Sequence, residues 1–297
     1  MPVQKMHADE ADIDTALVGR LLRAQFPQWA DLPLSRVPSA GTDNALFRLG
    51  PELTVRLPRL PGSTGQSEKE ARWLPLLAPQ LPLAVPTPLA VGNPGEGYLW
   101  HWSICRWLDG EPLTDSAFAD PTAAAIALAG FITALRRIDP SGGPAAGRGT
   151  PLARRDAPTR EALTALRGRL PAGDLDTLGE IWREALQAPS WQKAPVWLHG
   201  DLLPGNLLAQ QGRLSAVIDF GTLGTGDPAV DMLPAWALFT GESRTAFRNA
   251  VDVDEATWTR GRGWALSIAL IIMPYYWNTN PVLMATARRI VHEVLAE

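Results

Sequence analysis

The stretch Trp197-Leu198-His199-Gly200-Asp201-Leu202-Leu203-Pro204-Gly205-Asn206-Leu207-Leu208 decides how the rest of this chain is read. With Val196 before it, the opening is an apolar run that reads as a short buried strand. The chain then turns through His-Gly-Asp and ends in a second apolar run. Asp201 and Asn206 stand five apart, and thirteen residues after Asn206 comes Asp219, in Val217-Ile218-Asp219-Phe220-Gly221. This is another apolar strand that delivers an acid onto a glycine turn. Two carboxylates and one carboxamide at strand ends can divide the work. One carboxylate can take a proton from a hydroxyl. The other, with the amide oxygen, can hold a hard cation such as Mg²⁺, which favours oxygen ligands and shares its shell with phosphates. Asp and Asn also close turns routinely, so the joint pattern carries the reading.

The spacing matches His-x-Asp-x₄-Asn followed by Asp-Phe-Gly. With Gly200 in the middle of the triplet and Pro204-Gly205-Asn206 after it, the chain resembles the aminoglycoside phosphotransferase family of small-molecule kinases. The resemblance implies Asp201 as catalytic base and Asn206 and Asp219 as Mg²⁺ ligands. It implies ATP or GTP as phosphoryl donor and a small-molecule acceptor. It also implies an α+β, bilobal, protein-kinase-like fold. Residues 1–108 would form a small antiparallel-sheet lobe with the hinge, and residues 109–297 a larger, mainly helical lobe that binds the acceptor. Asp227-Pro228-Ala229-Val230-Asp231 resembles the family's Asp-Pro-Ala-x-Asp. There the later acid, here Asp231, supports the catalytic loop. His199 would brace the same loop, and Asp227 reads as a helix N-cap with Pro228 in the first turn.

Composition narrows the alternatives. The chain has 297 residues, 46% of them hydrophobic, enough for a sizeable core. A net charge of −4 gives no electrostatic footprint for nucleic acid. One cysteine, Cys105, excludes an internal disulfide and a Cys-rich zinc site, and it reads as buried packing. Met1 to Asp14 is polar and acidic, unlike a signal peptide, and Ala265 to Pro274 is too short to span a bilayer. No membrane association and a cytoplasmic location are expected.

Ahead of the motif, Ile13 to Phe26 has helical apolar spacing, with Asp12 or Asp14 as cap and Pro27 as stop. Ala45–Leu49 and Leu53–Leu57 read as a hairpin. Gly41 and Thr42, just before it, stand where the resemblance implies a loop over the nucleotide phosphates, although a full Gly-x-Gly-x-x-Gly is absent. Only three of the 27 basic residues are lysines (Lys5, Lys69, Lys193), and none falls on the strand where a kinase carries its phosphate-binding lysine. Arg56 stands at that place and can hold phosphate in a bidentate way; Arg59 is a second candidate. Ser67 to Leu77 reads as a helix that Pro75 should kink or end. On it Glu70, with Glu68 in reserve, is expected to pair with the strand's basic residue. A short strand is expected at Leu89–Val91. The aromatic run Leu99 to Leu108 looks like the hinge, with backbone groups of Arg106, Trp107 and Leu108 reading adenine.

Beyond the hinge, Thr122 to Ile138 reads as a helix capped by Asp120, with Pro121 at its first position. A loop carrying Arg148, Arg154 and Arg155 follows, then helices at Thr159–Leu170 and Asp174–Gln187. From Ala235 onward the chain reads as helical, with breaks near Gly241, Asp252–Glu255 and Asn278–Pro281. The acceptor is the least specified part. An aminoglycoside, hence antibiotic resistance, is the first expectation. Yet the eight acids and six arginines after Phe220-Gly221 do not make an acid-rich cleft. Aromatic residues such as Trp236, Trp264 and Tyr276 leave room for a macrolide, and a small metabolite also fits. A protein kinase would need a longer activation segment ending in Ala-Pro-Glu. A phosphohistidine at His199, and a non-catalytic nucleotide-binding scaffold without the usual lysine, are the remaining readings. Oligomeric state is not encoded in any motif.

Overall fold

The computed structural model describes residues 11–38, 43–61, 65–114 and 118–297. Gly41 and Thr42 lie outside these residues. The chain divides into two compact units. The first holds residues up to 79, residues 84–109, and the short segment Val217–Gly221; the second holds the rest.

The first unit is built on one antiparallel sheet. Its strands are β1 (Leu34–Val37), β2 (Asn44–Leu49), β3 (Leu53–Pro58), β4 (Pro88–Gly92) and β5 (Trp102–Arg106), in the spatial order β1-β2-β3-β5-β4. The β2–β3 hairpin follows from period-2 alternation: Phe47, Leu49, Val55 and Leu57 are fully buried. Gly50 turns the chain at φ +58°, a conformation open to glycine. Helix α1 (Thr15–Gln25) lays Val18, Leu21 and Leu22 into the same core, with the Asp14 carboxylate accepting from the Leu17 N–H at 2.7 Å. Helix α2 (Gln66–Leu77) ends at Leu77, as expected. It runs two residues past Pro75 before ending. A proline this close to the C-terminus removes one intrahelical hydrogen bond and leaves little helix to displace.

The second unit is mainly helical. Helix α3 (Pro121–Arg137) begins as expected, with Asp120 accepting from the Thr122 and Ala123 N–H groups, both at 3.0 Å. Helices α4 (Asp156–Ala165), α5 (Ala172–Gln187), α6 (Pro234–Ala237), α7 (Gly241–Val251), α8 (Glu255–Tyr276) and α9 (Pro281–Leu295) complete it. Phe131, Trp182, Trp236, Phe239, Phe247 and Trp264 are fully buried among them, so most of the tryptophans weighed as pocket lining are core. Two small sheets carry the functional loops. One has the order β6-β8-β9, from Glu111–Pro112, Leu207–Gln210 and Arg213–Val217. The other pairs β7 (Val196–Leu198) with β10 (Gly224–Gly226). Among the described residues no helix is long and apolar enough to cross a membrane.

Candidate active site

The His199-Gly200-Asp201 loop leaves the end of β7 and is held by side chains of its own unit. Asp231, 1% exposed, accepts from the backbone N–H of His199 at 2.8 Å and of Gly200 at 2.7 Å. Burial pushes the Asp231 carboxyl up to about 6, against the opposing pull of those two N–H groups and of Arg136. His199 is fully buried, and its Nδ1 accepts from the Asp201 N–H at 3.1 Å. This bond assigns the tautomer and closes the turn. Gly200 takes φ +82°, which only glycine adopts without strain, and Thr222 Oγ1 donates to the His199 carbonyl at 2.6 Å. The sharp His-Gly-Asp turn therefore has its backbone groups satisfied from three directions.

Asn206 donates its Nδ2 to the Asp201 carbonyl at 2.8 Å and to Asp201 Oδ2 at 3.1 Å. Those bonds fix the amide orientation and turn Oδ1 away from Asp201. The carboxylate at Asp201 is also held by Arg148, whose Nη1 forms an ion pair with Oδ1 and donates to the Gly200 carbonyl at 3.2 Å. Arg148 was legible only as one of three loop arginines without a role. What places it is the packing of residues 144–149 along β10. Ala146 N–H donates to Thr225 O, Thr225 N–H to Pro144 O and Asp227 N–H to Gly149 O, at 2.7–3.0 Å. Gly224 and Gly226 make that approach possible. A Cβ on Gly224 would lie 2.6 Å from Ala146 Cα, and one on Gly226 would lie 2.5 Å from the Gly149 carbonyl. The signal was there in Gly224-Thr225-Gly226, but a close backbone approach has no side-chain signature.

Asp227 does more than cap. Its carboxylate accepts from Ala229 N–H and forms a bidentate, buried ion pair with Arg260 at 2.8 and 3.0 Å. Capping alone, the role expected from the sequence, is therefore corrected. A bidentate guanidinium pair needs a partner some thirty residues away in sequence, which local motif reading does not see.

In the first unit, Arg56 is 8% exposed and pairs with Glu70, itself buried. Its other nitrogen lies 3.6 Å from Asp219 Oδ1. Burial opposes the charge on Arg56, but Glu70 and then Asp219 outweigh it, so this guanidinium holds its proton more firmly than usual. Glu68 turns instead to His101, at 3.5 Å. Asp219 sits at φ +63°, a left-handed conformation that Asp tolerates better than most residues. Lys69, on α2 rather than on a strand, donates its Nζ to the Gly221 carbonyl at 2.6 Å. Burial lowers its pKa, while Glu70 and Asp219 pull the other way. At the expected hinge two backbone N–H groups already have partners. Arg106 N–H is engaged by the Thr87 carbonyl and Trp107 N–H by the Glu52 carbonyl, at 3.0 and 2.7 Å. The Trp107 ring stacks under Arg48, 3.8 Å from ring centre to guanidinium carbon. Both N–H groups thus tie this segment to its own unit.

An antiparallel-sheet unit carrying a buried Arg–Glu pair, and a helical unit carrying a braced His-Gly-Asp loop, define a kinase-like phosphotransferase fold. The pattern of the phosphotransferase enzyme family matches residues 35–264, and the chain belongs to that family. No curated protein matches it. Among solved structures it is similar to the GDP and kanamycin complex of APH(2")-IIia, with 18% identity, a TM-score of 0.74, and coverage of 94% of this chain and 98% of that one. It is also similar to the GDP complex of wild-type aminoglycoside 2'-phosphotransferase-IIIa, at 19% identity and a TM-score of 0.75, over 96% and 99% of the two chains. Macrolide 2'-phosphotransferase MphH from Brachybacterium faecium gives 21% identity and a TM-score of 0.60, over 93% and 98%. At these identities the likeness is one of fold.

Proposed function

We propose that this phosphotransferase moves the γ-phosphoryl group of ATP or GTP to a hydroxyl of a small molecule, with Asp201 as the general base. The observation that carries the reading is the loop around Asp201. Its backbone is fixed by Asp231, His199 and Thr222, and its carboxylate is presented between Asn206 and Arg148. Each carboxylate oxygen has one partner and a remaining lone pair, so it can accept a hydroxyl proton and align the oxygen for attack. Catalysis of this kind is mostly alignment and charge neutralisation.

Asn206 and Asp219 are the proposed magnesium ligands. Both supply hard oxygen donors, and Asn206 Oδ1 is the atom left for a cation once Nδ2 is spent on Asp201. A bound Mg²⁺ would neutralise phosphate charge. Arg56 and Glu70 are proposed to shape the phosphate side of the nucleotide site. With Arg56 committed to Glu70 and Asp219, Lys69 is the more available cation and joins them as a phosphate contact. The Arg56–Glu70 pair supports an intact nucleotide cradle and counts against the scaffold reading. Solved relatives bound to GDP, ADP or ATP favour a nucleotide donor, and those bound to kanamycin, gentamicin or streptomycin make aminoglycosides the first acceptors to try. Gly41, Thr42 and the backbone of Arg106, Trp107 and Leu108 remain proposed nucleotide contacts.

The test is Mg²⁺-dependent ADP or GDP formation against aminoglycosides, macrolides, sugars, sugar acids and amino alcohols. Stimulation by one acceptor class, lost in Asp201→Asn, is expected. A protein that binds neither Mg²⁺·ATP nor Mg²⁺·GTP would overturn the reading.

A further inference from the structure

We propose that helix α2 clamps the turn carrying Asp219, with Lys69 as the positioning residue that holds this carboxylate ready for the metal ion. This rests on the reading of Asp219 as a magnesium ligand and deepens it.

Asp219 and the two residues after it belong to the first unit, as α2 does. The turn starts from an unfavourable backbone. Asp219 takes φ +63°, and a residue with a Cβ stays in that region only when its surroundings hold it there. Arg56 Nη2 attracts the carboxylate from 3.6 Å, which is too long for a hydrogen bond. The backbone beyond is gripped more firmly. Phe220 is fully buried. Lys69 Nζ donates to the Gly221 carbonyl at 2.6 Å, a charge-assisted bond two residues past Asp219. A Cβ on Gly221 would lie 2.8 Å from Gln66 Cδ, so the Gln66 side chain packs directly on this glycine. Gln66 Nε2 in turn donates to Asp43 Oδ2 at 3.3 Å. Glu70 pairs with Arg56, the cation that faces Asp219.

Gln66, Lys69 and Glu70 stand at i, i+3 and i+4, on one face of α2. Two of them hold the backbone of the turn, and the third holds the guanidinium opposite the carboxylate. A side chain that supports a metal ligand in this way tunes metal affinity without touching the metal. An ammonium has three N–H donors. One on Gly221 leaves two for phosphate, so the hold on the turn and a contact to nucleotide coexist. The two roles differ in timing. A phosphate contact is idle before nucleotide binds, whereas the clamp acts in the nucleotide-free protein.

The test has two readouts on the full chain. Hydrogen exchange without nucleotide or metal follows the peptide spanning Val217 to Gly221. Electron paramagnetic resonance then follows Mn²⁺ binding, with a non-hydrolysable ATP analogue at saturation. Mn²⁺ stands in for Mg²⁺ because it takes the same oxygen ligands. In Lys69→Ala the peptide should exchange about tenfold faster while α8 is unchanged, and Mn²⁺ should bind about tenfold more weakly. Lys69→Arg should restore most of both, and Gln66→Ala should move both in the same direction by less. Unchanged exchange or unchanged Mn²⁺ affinity in Lys69→Ala would overturn the proposal. Faster exchange throughout α8 would overturn it too, because Lys69 would then serve the fold as a whole. Asp219→Asn, titrated first, separates the underlying reading: Mn²⁺ bound there as tightly as in wild type would count against Asp219 as a ligand.

Discussion

Asp231→Asn should separate activity from stability. Asp231 accepts two backbone N–H bonds at 2.7 and 2.8 Å while almost wholly buried. Asparagine keeps one acceptor oxygen and turns an NH₂ toward the second N–H. Losing one charge-assisted bond of this kind costs about 1.5–3 kcal/mol. The carboxylate it replaces is itself unfavourable at neutral pH. A rise from 3.8 to about 6 amounts to roughly 3 kcal/mol against the ionised form. The two effects nearly offset, so stability at pH 7 should change by no more than about 1–2 kcal/mol. The turn at His199-Gly200 nevertheless shifts, and a displacement of the base by a fraction of an ångström to one ångström should lower kcat about 100-fold. The folded pKa lies above the unfolded one. The stability this carboxyl contributes is therefore present below pH 3.8 and is lost as pH rises through about 6, a loss the variant should not show. Wild-type kcat should fall as pH drops through about 6, because the protonated carboxyl no longer accepts both N–H groups. Urea titrations between pH 4 and 8, with kcat over the same range, provide the assay. Unchanged kcat, or a stability loss beyond about 4 kcal/mol, would refute the reasoning.

Arg56→Ala strips the counter-ion from buried Glu70 and should cost about 3–5 kcal/mol in urea titrations, while Arg56→Lys costs less. Lys69→Ala should leave stability nearly intact and raise KM for the nucleotide about tenfold in initial-rate kinetics. Gly224→Ala forces a Cβ to 2.6 Å from Ala146 Cα and should cut kcat at least about tenfold by moving Arg148. Gly179→Ala, on an open face of α5, should raise stability by about 0.5–1 kcal/mol in the same denaturation assay.

The elements were legible wherever local physics fixes them. Alternation marked the β2–β3 hairpin, and the Asp14 and Asp120 caps marked two helix starts. The Val196-Trp197-Leu198 run marked the strand that ends at the His-Gly-Asp loop. The helices expected in the C-terminal third also match, with α7, α8 and α9 separated near the predicted breaks. Contacts distant in sequence were hidden. Asp227–Arg260 spans thirty-three residues and Arg148–Asp201 fifty-three, and neither leaves a local pattern. Lys69 was hidden for a different reason. Beside Glu68 and Glu70 it looks like a solvated helix charge, and only the fold turns it onto Gly221. The hinge contacts were read as backbone chemistry, and backbone N–H groups can be claimed by a neighbouring strand without any trace in the side chains.

The most direct measurement is single-turnover transfer from [γ-³²P]ATP with Mg²⁺ in wild type and Asp201→Asn, counting label on small molecule, on protein and as free phosphate. Label should move to a hydroxylated acceptor, with the rate falling at least about 100-fold in the variant. Label retained on the protein at His199, or transfer at an undiminished rate without the Asp201 carboxylate, would contradict the account.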